Sequence, residues 1–394
     1  MKSAEEKNVK MNWKALALLS IAHLITDVNQ GALPALLPFF KESLGLSYTM
    51  AGVILLCGNL TSSVIQPVFG YLSDKRSLGW LLYAGPFIAC LGMSATGLMP
   101  NYLLLVSCVI ICGFGIAGYH PEGFKTAYFL TGEKKATGMS IFTVGGNLGI
   151  ALGPILSLFL VTTYGLKGTL GLVVPGILMA GVIALSIPWL TTPVRLASKK
   201  TKEEIEKISS KGRHTSLLLL IAIVIIRAWI QAGLITYIPF YYINYLKENP
   251  IYAAKLVSTF LTAGAVGTLI GAPLADRWGH KTFLCITIII LFPLLLLFYN
   301  TQGLITFVIL AIAGMVLIST TGVVVVIGQT LLPQNLGVAS GLVVGFGVGT
   351  GGIGVTLLGV IADAWGVPMA MKAILLLPLI GFGLSLLMEY PPKK

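Results

Sequence analysis

The chain has 394 residues, 56% of them hydrophobic and only 10% charged, with a formal net charge of +12 and a mean hydropathy of +0.91. Average soluble domains carry about 25% charged residues, so this composition excludes an ordinary water-exposed surface. The apolar runs match the ~20 residues that a helix needs to cross a bilayer, and they are too long and continuous for barrel strands, the other way of satisfying backbone in lipid.

Taken in chain order, the runs predict helices 1 to 6 over 13–40, 48–73, 79–99, 101–131, 136–164 and 168–190. Helices 7 to 12 are predicted over 216–246, 251–275, 280–299, 303–331, 336–365 and 368–389. The expected domains are an N-terminal tail (1–12), a six-helix bundle (13–190), a polar linker (191–215) and a second six-helix bundle (216–390). The first run continues for more than 20 residues and contains an acid, which predicts an uncleaved first helix rather than a signal peptide. The five cysteines all lie in apolar runs, odd in number and without metal-type spacing; they read as packing residues, and no metal site is expected.

Helix 1 carries His23 and Asp27, four residues apart and so on one face. Helix 4 carries His120-Pro121-Glu122 and Lys125, and helix 7 carries Arg227. Ionisable groups within membrane spans are costly and normally face a cavity or a partner. Asp27, Glu122, His120 and His23 are therefore the candidate proton-coupling groups. Arg227 and Lys125 are candidate substrate contacts, with Tyr237 and Phe240 as apolar wall. His120 and Glu122 point to different faces of an ideal helix, so both reach one cavity only if Pro121 distorts the turn.

The positive charge is placed asymmetrically. With the N-terminus cytoplasmic, 19 Lys and Arg fall on the cytoplasmic side and five on the other. This positive-inside bias accounts for the net charge without nucleic acid and predicts that both termini and the linker are cytoplasmic.

The second half repeats the first. Asp74 in GYLSDKR corresponds to Asp276 in GAPLADRWGHK, Gly138 to Gly341, and Pro38 to Pro239, at offsets of 202, 203 and 201. Two six-helix halves in parallel repeat resemble the major facilitator superfamily over the whole length, and Asp276-Arg277-Trp278-Gly279-His280-Lys281 is similar to that family's loop signature. The resemblance implies an all-α membrane protein of twelve transmembrane helices in two parallel-repeat bundles. It also implies a conformational latch on the cytoplasmic side, here Asp74, Arg76, Asp276, Arg277 and Lys281.

Gly145, Gly149 and Gly153 in helix 5, and Gly349 within the glycine cluster of helix 11, are spaced for close helix packing. Their matching positions predict a close, mobile contact between the halves, and the helix-5 run resembles a signature of antiporters. The His-Pro-Glu element with His23 and Asp27 looks like the fosmidomycin-resistance branch. That resemblance implies proton-driven efflux of a small drug-like or anionic compound such as a phosphonate antibiotic, by a multi-pass inner-membrane protein functioning as a monomer. No cofactor is expected, the proton gradient being the energy source, and the expected partners are the solute, protons and lipid. Proton symport of a sugar, carboxylate or other metabolite is the alternative. An enzyme is not expected: HExxH, Gly-x-Ser-x-Gly and paired Asp clusters are all absent from the chain.

Overall fold

A computed structural model describes residues 11–46, 48–76, 78–205, 213–248 and 250–390. Twelve helices among them are long and apolar enough to cross a membrane, the first beginning at Trp13 and the last ending at Leu387. Large apolar side chains such as Leu103, Leu185 and Leu304 stay exposed on them, as lipid-facing surface requires.

Three spans are broken. Helix 2 runs Tyr48–Val64 and resumes as Gln66–Lys75, where Pro67 cannot donate to the preceding turn. Helix 10 runs Leu304–Ile318 and Thr321–Leu331. Helix 11 runs Leu336–Gly349 and Gly351–Trp365. Helix 6 runs on to Ile205, into the stretch expected as linker, and helix 7 begins at Arg213.

Both described chain ends lie on one side, with the turns after helices 2, 4, 8 and 10. Asn12 N–H donates to Leu130 O at the end of helix 4 (2.9 Å), and Glu389 N–H donates to Ser216 Oγ (3.1 Å). This face is called the linker side below.

Glycine sets the closest helix approaches. A Cβ on Gly145 would lie 1.9 Å from Ser20 O, on Gly149 2.4 Å from Leu24 O, and on Gly153 2.4 Å from Val28 O. These three glycines therefore pack helix 5 on helix 1 inside the first half, where a mobile contact between halves was expected. The seam between halves is made by helix 11 on helix 2 and by helix 5 on helix 8. A Cβ on Gly70 would lie 2.3 Å from Gly337 O, and one on Gly341 2.8 Å from Gln66 O. Gly349 is farther out, with 3.4 Å to Ser63 Cβ.

Candidate functional site

A cavity of about 330 Å³ lies between the halves. Helix 1 contributes His23, Asp27 and Gln30, helix 4 contributes His120 and Phe124, helix 5 contributes Asn147, and helix 7 contributes Arg227 and Gln231. Helices 10 and 11 add mostly valine and glycine. The broken turn of helix 10 frees the carbonyl of Leu317, which accepts from Thr320 Oγ1 (2.8 Å) and from Arg227 Nη2 (2.9 Å).

One wall is a buried hydrogen-bonded cluster. Asp27 Oδ2 lies 3.2 Å from His23 Nε2, and Asp27 Oδ1 lies 3.0 Å from His120 Nε2. His23 is stacked on Phe142 at 4.4 Å between ring centroids and has Phe124 edge-on at 5.8 Å. Gly146 of helix 5 leaves the room for this: a Cβ there would lie 2.6 Å from His23 Nε2 and 2.7 Å from Asp27 Oδ2. His120 thus joins Asp27 across 93 residues of sequence, on the cavity side of helix 4.

Across the cavity, Arg227 is 7% exposed, and no carboxylate among the described residues forms an ion pair with it. Its Nε, and Nδ2 of Asn147, are buried without hydrogen-bond partners. A buried guanidinium N–H left unpaired is costly, so these donors are suited to a ligand that brings acceptors. Asn147 carries no charge, so nothing in the sequence marks it as a site residue.

Glu122 and Lys125 lie elsewhere. Glu122 Oε2 is 2.9 Å from Lys125 Nζ, accepts from Ser73 Oγ, and both side chains are buried. Lys125 also donates to Ser73 O (2.8 Å). Neither residue lines the cavity, because the two-residue step from His120 turns Glu122 to the opposite face, toward helix 2. The pair braces helix 4 to the segment that carries Asp74. Tyr237 also stands outside the cavity: it is buried in the second half's core and donates to Val355 O of helix 11 (3.0 Å). Phe240 lies just beyond helix 7, and its side chain lies outside the described residues.

The candidate latch acids meet helix N-termini. Asp74 accepts from Gly337 N and Val338 N of helix 11 (2.9 Å each). Asp276 accepts from Ala136 N (2.9 Å), Thr137 N (2.8 Å) and Thr137 Oγ1 (2.6 Å) of helix 5. Each acid thus caps the unsatisfied N–H groups at a helix start in the other half, with the helix dipole in its favour. This capping, rather than an ion pair with Arg76, Arg277 or Lys281, joins each acid to the other half. Arg76 and Arg277 are exposed and form no ion pair with either acid. Lys281 donates to Met388 O (2.5 Å) within its own half. Near the Asp276 cap, Tyr390 bonds His280 Nδ1 (2.8 Å), and burial pushes its hydroxyl up to about 12, so it stays neutral there. Gln329 adds a bond across the seam to Phe124 O (3.2 Å).

Loss of a capping acid typically costs about 0.5–2 kcal/mol. Asp276→Ala should therefore shift the equilibrium about 2- to 30-fold toward a form open on the linker side. Pulsed electron paramagnetic resonance between spin labels at Arg76 and Arg277 reads this as growth of a longer distance; an unchanged distribution removes the latch role.

His23, Asp27 and His120 each offer a ligand atom, all within 4.8 Å of one another. The donor set fits a metal poorly. Gln66 Nε2, itself bonded to Ser62 O (2.6 Å), faces His120 Nδ1 at 3.1 Å, which leaves the hydrogen of His120 on Nε2, the atom a metal would need.

A model of the Major Facilitator Superfamily matches residues 19–344. The chain belongs to this superfamily. It is 30% identical to the fosmidomycin resistance protein of Escherichia coli (strain K12), over 96% of this chain and 94% of that protein. It is 32% identical to the uncharacterized MFS-type transporter YfnC of Bacillus subtilis (strain 168), over 93% and 90% of the two chains. Among solved members of the superfamily, the transporter FucP in the outward conformation superposes with a TM-score of 0.69 at 17% identity, covering 95% of this chain and 98% of that one. The human organic anion transporter MFSD10 superposes at 0.71 and 17% identity, covering 95% and 99%. At such identity the structural likeness is one of fold, two parallel six-helix bundles; the family match and the relatives make the chain a multi-pass membrane transporter.

Proposed function

We propose that the protein exports a small solute in exchange for protons by alternating access. One observation carries this: a buried His–Asp–His cluster on one half faces, across a shared cavity, an arginine on the other that has no carboxylate partner among the described residues. Two halves that rock about a central site expose it to each side in turn. With the linker cytoplasmic, as the positive-inside bias favours, capping of helices 5 and 11 by Asp276 and Asp74 closes the cytoplasmic side.

Exchange requires proton and solute to compete. An anionic group alone would bind Arg227 better when the Asp27 cluster is protonated, which is cooperation rather than competition. The solute suited to antiport is therefore bipolar, with an anionic group for Arg227 and Asn147 and a hydrogen-bond donor for Asp27 in place of the proton. A phosphonate bearing an N–OH or amine group has this form, and similarity to the fosmidomycin resistance protein supports export of such a compound. Symport is the reading for a solute that is an anion only, on the same cooperative linkage.

The test is uptake of radiolabelled fosmidomycin by inverted vesicles containing the protein, energised to an acidic lumen. Antiport predicts accumulation that collapses with a protonophore; accumulation only with the opposite gradient selects symport. Arg227→Gln removes a charged hydrogen-bond donor worth about 1.5–3 kcal/mol, so half-saturation should rise by about 10- to 150-fold, and Arg227→Lys should not restore it, because the planar fork is lost. An unchanged half-saturation in both variants would exclude Arg227 from the binding site.

A further inference from the structure

Hydrogen-bond parity in the cluster decides where its proton sits. His23 Nδ1 is 3.0 Å from Phe142 O. A carbonyl only accepts, so this nitrogen carries hydrogen. On the other ring, Gln66 Nε2 has one N–H on Ser62 O and offers its second to His120 Nδ1. The Ser62 carbonyl decides which end of the amide is nitrogen. His120 Nδ1 is then a lone pair, and His120 Nε2–H donates to Asp27 Oδ1. A proton added at His120 Nδ1 would face an N–H, so His120 is held neutral.

The remaining contact is His23 Nε2 to Asp27 Oδ2, 3.2 Å apart, between side chains that are both buried. A neutral His23 with hydrogen on Nδ1 beside an ionised Asp27 would set two lone pairs against each other. The contact is attractive only with one more proton between them, as imidazolium with carboxylate or imidazole with carboxylic acid. Both forms have the same proton count.

We propose that the exchangeable proton belongs to the His23–Asp27 pair, and that Gln66 is a positioning residue that keeps His120 out of the titration, so that the cluster binds one proton rather than two. The inference rests on the coupling role proposed above for this cavity. It adds the carrier of the proton and a helix 2 residue that fixes it.

The other groups around the pair do not alter the count. From helix 4, the Tyr119 hydroxyl is engaged by Leu19 O (2.7 Å), and Cys112 is a buried thiol. Helix 3 offers Cys90, which Asn29 bonds (3.2 Å). Helix 5 presents the Phe142 ring and Gly146, neither of them titratable. Arg227 faces the pair from helix 7 across the cavity. When the proton leaves, the 3.2 Å contact becomes repulsive, and Arg227 is the cation toward which the Asp27 carboxylate is released.

The chain has four histidines, few enough for ring-nitrogen NMR of the purified, full-length protein in detergent, with each signal assigned by single replacement. Between about pH 5 and 8, His120 should keep the neutral form with hydrogen on Nε2. Over the same range one titration should appear on the His23 ring or on the labelled Asp27 carboxyl carbon. Gln66→Glu gives His120 Nδ1–H an acceptor, so the His120 signal should become cationic. Gln66→Leu should leave His120 free to titrate. A His120 that titrates in the unaltered protein, or carries its hydrogen on Nδ1, overturns the proposal, as does a pair of which neither member titrates. If the Gln66 variants fail to assemble, the unaltered protein still decides. Flux does not enter this measurement, so failed antiport with the predicted spectra would sink the coupling role and leave the proton's location standing.

Discussion

Replacing Asp27 with asparagine is expected to abolish proton-driven accumulation and to weaken solute binding, as the bound proton does. The amide keeps the size of the carboxyl group and can satisfy both rings, accepting from His120 Nε2–H and donating to His23 Nε2. The variant therefore resembles the protonated state permanently. A ligand shifts a conformational equilibrium only through its differential affinity for the two states, and with no proton to gain or lose the gradient has nothing to act on. Accumulation at the unaltered rate would exclude Asp27 as the coupling group.

Replacing Glu122 should act on stability instead. Glu122→Ala leaves Lys125 buried beside Ser73 without its carboxylate, and breaking one partner of a buried pair costs about 3–5 kcal/mol. The expected result is a marked fall in thermal unfolding temperature, with the proton-to-solute ratio of the surviving protein unchanged. Glu122→Gln combined with Lys125→Met should recover part of the loss, since a neutral replacement of both partners removes the uncompensated charge. A changed coupling ratio at unchanged stability would return Glu122 to the proton pathway.

The contrast between these two acids shows how far the sequence could be read. Both stand out because a carboxylate in an apolar run needs a reason, and the twelve spans and the duplicated Asp74 and Asp276 are visible for equally simple reasons of length and repetition. What each acid touches is a different matter. Asp27 and His23 share a face by their spacing, whereas the approach of His120 to Asp27 depends on how helix 4 packs against helix 1. The two-residue step between His120 and Glu122 predicts divergence, and the helix keeps it despite Pro121.

Asp74 and Asp276 stand out by repetition but their partners do not, because backbone N–H groups at helix starts carry no signature in residue type. Arg76 and Arg277 drew attention by charge alone. Gln66 and Asn147 escaped notice for the converse reason: a neutral amide in an apolar run raises no alarm. The one available hint for Gln66 was the proline that follows it, which marks the break in helix 2. The glycines of helices 5 and 11 look alike in sequence, yet one set packs within a half and the other between halves.

Proton counting on the purified protein reaches the core of the account most directly. A transported solute is added to weakly buffered protein with a pH indicator, and the proton change is read per bound solute. Competition at the His23–Asp27 pair predicts release of about one proton, and none from the Asp27→Asn variant. Proton uptake on binding, or equal release from both proteins, would contradict it.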